Sequence, residues 1–360
     1  MNTDQLSERL FEATLGSLDL TTIYLGEQLG LYEALHTRGA LTSEESANAA
    51  GIAPRYAAEW LEQQTVTGLL EVDDPSAPAA DRRYSLPADH ATVLLDRDSL
   101  AYLAPLARMI TAAGQQLPAL MQAYRTGGGV PWSGYGPDMR TSQADMNRPW
   151  FMSALGADWF PAVPDLHARL QAGAEVADVG CGEGWSSIAI ALAYPDTRVD
   201  GYDLDEASVL AARKHATDAG VAERVRFAHV DAAAVDRAGD YDVVTAFECI
   251  HDLADPVAVL GAMRRLARPD GHVIVMDERV PEQFAGAGDD VERFMYGLSM
   301  LICLPDGMSH SPSAGTGTVM RPDTLRRYAQ DAGFDGIEVL PIDNELWRFY
   351  RLQPVTAATA

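Results

Sequence analysis

The sequence predicts an α/β domain built on a mostly parallel sheet, preceded by a small helical module that closes with a hairpin. Three observations predict it. From residue 173 onward, short apolar strands alternate with helical stretches, as in a parallel sheet covered by helices on both faces. A glycine-rich loop joins the first of these strands to its helix. The stretch FDGIEVLPIDNELWRFYRL near the end holds two alternating strands joined by a turn, an antiparallel hairpin that finishes the sheet.

Composition narrows the function classes before any motif is read. A chain of 360 residues holds two domains with a core each, and 47% hydrophobic with 22% charged residues is a globular balance. A formal net charge of -25 repels phosphate backbones and anionic lipid heads, so neither nucleic acid nor a membrane surface is an expected partner. The three cysteines, Cys181, Cys249 and Cys303, are far apart and form no C-x-x-C, which gives neither a disulfide framework nor a zinc site. The first residues are acidic and lack a signal-peptide pattern, and no run of about 18 apolar residues spans a bilayer. The expectation is a soluble, cytoplasmic protein without a metal.

Residues 1–90 read as a winged helix. SLDLTTIYLGEQLGLYEAL carries apolar residues at helical spacing. Thr42 and Glu45 form a capping box for the next helix, Gly51 ends it, and Pro54 opens the one after, PRYAAEWLEQQTVTGLLEV. Asp73, Asp74 and Pro75, then RRYSL, supply the turn and returning strand of a wing. A winged helix that reads DNA presents a basic face, but fifteen acids stand here against five arginines, and the helix that would enter a groove offers only Arg55. Core and dimer packing account better for its Leu, Tyr and Trp.

Residues 91–172 read as a helical linker and lid region. DSLAYLAPLARMITAAGQQLPALMQAYRT is one long amphipathic helix that stops at Gly127. The loop GGGVPWSGYGPDM then presents Trp132 and Tyr135, either as a lid over a flat ligand or as a connection whose aromatics pack on the next helix.

The domain from 173 to 353 has strands at 175–179, 198–203, 225–230, 241–247 and 272–277. Asp178 precedes a loop containing Gly180, Gly182 and Gly184, which lets a ligand approach main-chain N–H groups that side chains would obstruct. Asp203, about 20 residues on and at the tip of the neighbouring strand, is placed to accept from ribose hydroxyls. This is a nucleoside-binding pattern. The third glycine comes one residue too early for a dinucleotide fingerprint, and Trp185 stands where that fingerprint wants glycine, so NAD is disfavoured. Asp231 ends the third strand on the same rim, where it serves a ligand, a helix N-terminus or both. Residues 354–360 read as a disordered tail.

The fourth strand puts Phe247, Glu248, His251 and Asp252 past its carboxyl end. An imidazole with a pKa near 6.5 suits removal of a proton from an attacking hydroxyl. The fifth strand, GHVIVMDERVPE, delivers Glu278, a carboxylate to hold that imidazole. In the insert that follows, Phe294, Met295, Leu298 and Leu301 recur at helical spacing, with Met308 and His310 in the next loop. They read as an adaptable apolar wall for a planar substrate, or as ordinary core. Asp289 and Asp290 read as a solvated acidic turn rather than metal ligands.

D-x-G-x-G-x-G at 178–184, followed by Asp203, resembles motif I of the class I S-adenosylmethionine (SAM) methyltransferases. HDLADP and VIVMDERVPE are similar to the H-D-W-S-D and V-I-V-x-E-x-x-x-P elements of small-molecule O-methyltransferases of plant and bacterial pathways, with an actinobacterial branch nearest in overall plan. The resemblance implies a seven-stranded Rossmann-like sheet ending in an antiparallel hairpin, an N-terminal winged-helix dimerisation domain, a homodimer, and SAM as cofactor. It implies that the three glycines face the methionine part of SAM, Asp203 with Leu204 the ribose, and Asp231 with Ala232 the adenine, Asp178 and Phe247 completing the cofactor set. His251 would be the base and Glu278 its orienting acid. Two departures stand out: Leu253 replaces the tryptophan usual after H-D, and GTGTVMRPDT lacks the second acid expected beyond the insert. The expected activity is methyl transfer to a hydroxyl, foremost a phenolic one, of a small secondary metabolite. Open alternatives are an N- or C-acceptor, or a methyltransferase-fold protein that uses SAM without methyl transfer, in a rearrangement or decarboxylation. A SAM-responsive transcription regulator is opposed by the acidic winged helix.

Overall fold

Residues 1–354 are described in this computed structural model, and residues 355–360 of the expected tail lie outside them. Two compact units emerge: residues 1–114 with 141–149, and residues 115–140 with 150 onward, so the region 91–172 is shared between them.

In the first unit, helix α1 (Thr3–Gln28) begins well before the apolar segment, because Asn2 and Gln5 form a reciprocal capping box. Helices α2 (Leu31–Arg38), α3 (Ser43–Ala50) and α4 (Pro54–Val66) follow, with the predicted Thr42–Glu45 capping box, Gly51 as left-handed C-cap and Pro54 in the first turn of α4. Strands β1 (Glu71–Val72) and β2 (Tyr84–Ser85) pair antiparallel as the wing, and Leu41 bridges to Tyr84. Leu31, Tyr32, Leu35, Trp60 and Leu61 are the centre of this unit's core. Helix α5 (Ala88–Leu94) follows the wing. The long helix expected after it is two: α6 (Ala104–Gln115) and α7 (Leu117–Thr126). Pro118 has no N–H to continue the α6 ladder but is tolerated in the first turn of a new helix.

The second unit contains a 3-10 turn (Trp132–Tyr135), a π-helical stretch (Phe151–Trp159) and helix α9 (Pro164–Gln171); of helix α8 (Gly136–Trp150), residues 141–149 belong to the first unit. Its seven-stranded sheet has the order β5-β4-β3-β6-β7-β9-β8. The strands are β3 (Glu175–Val179), β4 (Arg198–Asp203), β5 (Val225–His229), β6 (Tyr241–Phe247), β7 (Ala267–Glu278), β8 (Phe334–Val339) and β9 (Trp347–Pro354). The first five run parallel, and β9 pairs antiparallel with both β7 and β8. Strand β5 stops one residue short of the expected end. Strand β7 starts five residues earlier than expected, with an irregular register where Tyr241 and Val243 of β6 face it. Pro354 belongs to β9 rather than to a tail.

Helices α10 (Trp185–Ala193), α11 (Glu206–Asp218), α12 (Pro256–Leu266) and α15 (Pro322–Asp331) flank the sheet, and α13 (Asp290–Leu298) and α14 (Leu304–Gly307) lie in the insert. Strands β3 and β6 are neighbours, yet the chain leaves β3 toward β4 on one side and β6 toward β7 on the other. This reversal opens a crevice at their carboxyl ends, where open α/β sheets bind ligands. Among the described residues no helix is long and apolar enough to cross a membrane.

Candidate active site

The loop after β3 and the turn after β6 stand side by side at that crevice. A methyl group on Gly180 would lie 2.6 Å from the Cys249 sulfur, and one on Gly184 would lie 2.5 Å from the Phe227 ring. Those two glycines allow close packing. Gly182 differs: its φ is +51° and the space where a side chain would project is open, a cradle rather than a contact. The Gly182 N–H donates to Asp203 Oδ2 (2.7 Å) and the Asp205 N–H to Asp203 Oδ1 (2.8 Å), so the acid is fixed beside that opening. Burial raises the Asp203 pKa. Trp185 stacks on His215, with ring centroids 4.4 Å apart. Arg140 lies 3.9 Å from Glu183 and 3.8 Å from Asp205, a cation that no sequence motif announced.

Two residues expected in the cofactor set are placed elsewhere. Asp178 is buried and accepts from the hydroxyls of Ser186 (2.6 Å), Ser187 (2.6 Å) and Thr245 (2.9 Å). With both oxygens engaged, it anchors the start of α10 beneath the loop. The Phe247 ring packs on Phe151 and Phe160 in the core, at centroid distances of 5.5 and 6.5 Å. Leu204 is exposed, while Asp231 accepts from the Ala233 N–H (2.8 Å) as N-cap of the 3-10 turn Ala232–Ala234, in which Ala232 is buried.

The turn after β6 starts at Glu248, the one non-glycine residue with positive φ (+51°) among the described residues. Its N–H donates to Met276 O (2.8 Å) and its carboxylate accepts from the Trp347 indole. A left-handed residue here costs on the order of 1 kcal/mol, and it lets the chain bend so that Cys249 backs the glycine loop and Ile250–Asp252 forms a 3-10 turn.

His251, only 2% exposed, is the middle residue of this turn and sits in a nest of acids. Its Nδ1 lies 2.8 Å from Asp277 Oδ1 and 3.0 Å from Glu278 Oε2, and its Nε2 lies 3.2 Å from Asp252 Oδ1. Burial pulls the imidazole pKa down, but Asp252, Asp277 and Glu278 outweigh it and hold the value well above the usual one. Asp277 at 2.8 Å thus joins the expected Glu278 at 3.0 Å on the same nitrogen. The sequence carried the signal: laid on residues 273–281, V-I-V-x-E-x-x-x-P puts its acid at position 277.

A cover from two distant segments shields the imidazole. Gly317 N–H donates to His251 O (3.1 Å) and Ala314 N–H to Ala254 O (2.8 Å), and Gly307 packs so close to Asp252 O that a methyl there would lie 3.0 Å away. The 3-10 turn is stitched to the insert by Val130 N–H to Pro305 O (2.9 Å), Trp132 N–H to Asp306 Oδ1 (2.7 Å) and Tyr135 O–H to Leu301 O (2.7 Å). Burial, then Asp252, pushes the Asp306 pKa up to about 7, and burial first of all pushes the Cys303 thiol up to about 12.

The residues expected as an apolar wall differ in exposure. Trp132 is half-buried and Tyr135 buried in the stitched cover, Met308 packs toward Gly315, and Leu298 is half-buried. Met295 is buried, whereas Phe294 and His310 are exposed. The π-helical turn Ser299–Cys303 advances the chain by an extra residue, so helical spacing no longer carries from Leu298 to Leu301. Asp289 caps α13 through the Glu292 N–H (2.8 Å) and Asp290 pairs with Arg293 (2.6 Å), as a solvated turn should.

Comparison with known proteins decides the family. Residues 170–309 match the family described as "Methyltransferase domain", and residues 17–96 match the "Rv2258c-like winged HTH domain". The "Ubiquinone biosynthesis O-methyltransferase" of Nitrosospira multiformis is 33% identical over 190 residues, covering 52% of this chain and 74% of that protein. Its namesake from Bordetella avium is 33% identical over 228 residues, 57% of this chain and 88% of that protein.

The chain belongs to the class I SAM-dependent methyltransferases. Solved structures share the fold over nearly the whole length. The mitomycin 7-O-methyltransferase MmcR has a TM-score of 0.71 at 19% identity, covering 98% of each chain. Human N-acetylserotonin methyltransferase in complex with SAM has a TM-score of 0.70 at 17% identity, covering 99% of this methyltransferase and 100% of that chain. SAM is thus the cofactor of this methyltransferase, and the open side of Gly182 beside the fixed Asp203 carboxylate suits an adenosyl ligand.

Proposed function

We propose that this methyltransferase transfers the methyl group of SAM to a hydroxyl, foremost a phenolic one, of a small-molecule metabolite, with His251 accepting the hydroxyl proton. The observation that carries the reading is a buried imidazole one strand away from the glycine cradle, with Nδ1 held by Asp277 and Nε2 within 3.2 Å of Asp252, the position an acceptor hydroxyl would take. The names of the relatives, O-methyltransferases among them, support the oxygen acceptor.

Bound SAM supplies an electrophilic methyl on a sulfonium. The chain contributes position and proton handling. Gly180, Gly182 and Gly184 let the main chain approach the methionine part, Asp203 with Leu204 meets the ribose, and Asp231 with Ala232 borders the adenine. Asp277 keeps the hydrogen of a neutral His251 on Nδ1, leaving the Nε2 lone pair for the acceptor hydroxyl. Asp252 occupies Nε2 at 3.2 Å and has to yield that position to the acceptor. The cover keeps water from the reacting atoms. An amine acceptor is the second reading, favoured by the same contact: an imidazole already charged on both sides takes no proton, and a neutral amine needs no base.

The N-terminal unit supports a homodimer rather than DNA reading. Leu6, Leu10, Phe11, Leu15, Leu18 and Leu25 are exposed along α1, Leu6–Leu10 and Phe11–Leu15 four apart, Leu15–Leu18 three and Leu18–Leu25 seven, an apolar stripe that a second copy would bury. Arg55, Arg82 and Arg83 pair with Glu59, Glu62 and Glu45. Three unpaired cysteines support a cytoplasmic setting.

The decisive assay incubates purified enzyme and SAM with a panel of phenols, amines and carbon acids, following S-adenosylhomocysteine release and the methylated atom. Turnover confined to phenols bears the reading out, and turnover confined to amines replaces it with the second. Light scattering of the protein and of Leu15→Glu tests the dimer, which predicts that the variant is a monomer.

A further inference from the structure

The acids behind His251 present a proton-counting problem. Nδ1 carries one hydrogen, yet oxygens from two residues lie 2.8 and 3.0 Å from it, and a single N–H does not satisfy both well. Consecutive strand residues ordinarily point to opposite faces. Here both carboxylates converge on one nitrogen, because Glu278 is the last residue of β7. Asp277 is 1% exposed and Glu278 7%, and two like charges packed together without water do not both stay ionised. Asp277 Oδ2 and Glu278 Oε2 are buried with no hydrogen-bond donor assigned.

We propose that Asp277 and Glu278 share one proton behind His251, Asp277 being the charged partner that fixes the imidazole and Glu278 a neutral acid that holds Asp277 in place. Asp277 Oδ1 also accepts from the Glu278 backbone N–H (3.0 Å), which favours the negative charge on that residue. Burial and the neighbouring Asp277 push Glu278 well up, whereas His251 overcomes burial and draws Asp277 down. The other groups facing the pair are Asp252 on the far side of the ring, the Cys249 and Cys303 thiols that burial keeps protonated, and the un-ionised Tyr350 phenol. The cations among these neighbours are His251 and Arg348, which stands opposite Asp277 on β9 and donates toward Val280 O (3.3 Å) and the Tyr350 hydroxyl (3.5 Å). Both acids are positioning residues, since they act through the imidazole. The consequence for turnover rests on His251 being the base; the shared proton itself does not.

The test separates these two. Infrared spectra of the full-length enzyme, with and without isotope-labelled glutamate carboxyl groups, should show at neutral pH an un-ionised carboxylic C=O stretch that is lost in Glu278→Gln. Glu278→Gln, neutral for neutral, should lower kcat less than Asp277→Asn does and should leave the pH limb of kcat in place. Asp277→Asn should lose on the order of 10²-fold or more in kcat, as removal of a base's orienting partner does. It should also move the pH limb of the remaining activity downward. A glutamate band seen only as carboxylate overturns the proposal, as does equal loss in both variants with folding intact by circular dichroism. A stoichiometric divalent ion in the purified protein overturns it too, because the cation would replace the proton. If Glu278→Gln does not fold, the labelled wild-type spectrum still decides. If His251→Ala keeps full turnover, the base reading fails while the infrared result stands or falls alone.

Discussion

The cofactor cradle and the surroundings of His251 lie at the ends of adjacent strands but are built in opposite ways. The cradle is local: Gly180, Gly182 and Gly184 follow β3 directly, and Asp203 comes from the next strand, its carboxylate tied to the Gly182 N–H. The His251 nest is assembled from afar. It takes Asp252 from its own turn, Asp277 and Glu278 from β7, and a cover from residues 129–135 and 301–318. The difference teaches that a loop fixed by backbone geometry is separable from a nest of titratable groups fixed by convergence of side chains. Each region should be breakable without the other.

The largest expected effect is on the nest. His251→Ala should lower kcat by roughly 10²- to 10⁴-fold, the usual range for a general base, while SAM affinity by calorimetry changes less than about threefold. Comparable losses in both would show that the two regions are one. The complementary experiment strikes the cradle. Asp203→Ala removes a buried acceptor and should weaken SAM binding by roughly 1 to 3 kcal/mol, about 10- to 100-fold, with kcat at saturating SAM mostly retained. Unchanged affinity would remove Asp203 from the ribose site.

A third prediction turns on charge. The proposed base role requires neutral His251, and its neighbouring carboxylates hold its pKa above the ordinary value, so on that role kcat should rise as pH climbs through that pKa. Asp252→Asn removes one of those carboxylates while keeping the shape. The limb should then move to lower pH, leaving more of the enzyme competent near neutrality. A limb that stays or moves upward would exclude Asp252 as a partner of the imidazole.

Legibility in the sequence followed the same division. The five parallel strands, the closing hairpin, the Thr42 capping box and the order of the glycine loop could all be read, because each depends on periodicity or on a turn within a few residues. The sequence shows the place of Asp178 in the motif and so points to a ligand contact, whereas the hydroxyls of Ser186, Ser187 and Thr245 that claim it become neighbours only on folding. The break between α6 and α7 was written in Pro118. The π-helical turn at Ser299–Cys303 had no such mark, and it undid the spacing argument for the substrate wall. Arg140 and Asp306 reach the crevice from distant segments and carry no motif of their own.

The smallest effect tests the cover. Tyr135 is buried, and its hydroxyl donates to Leu301 O at 2.7 Å, inside the insert whose turn brings Cys303 and Asp306 toward His251. Tyr135→Phe keeps the ring and removes one hydrogen bond, so global stability should fall by only about 1 kcal/mol in denaturant titration. If the cover serves the nest alone, the variant should raise the acceptor KM by a few fold and leave SAM affinity untouched. Hydrogen exchange should quicken at the amides of Val130 and Trp132, which are stitched to the same insert, and not at Gly182. Faster exchange at Gly182 would mean that opening the cover loosens the glycine loop as well, and the separation of the two regions would fail at its most sensitive point.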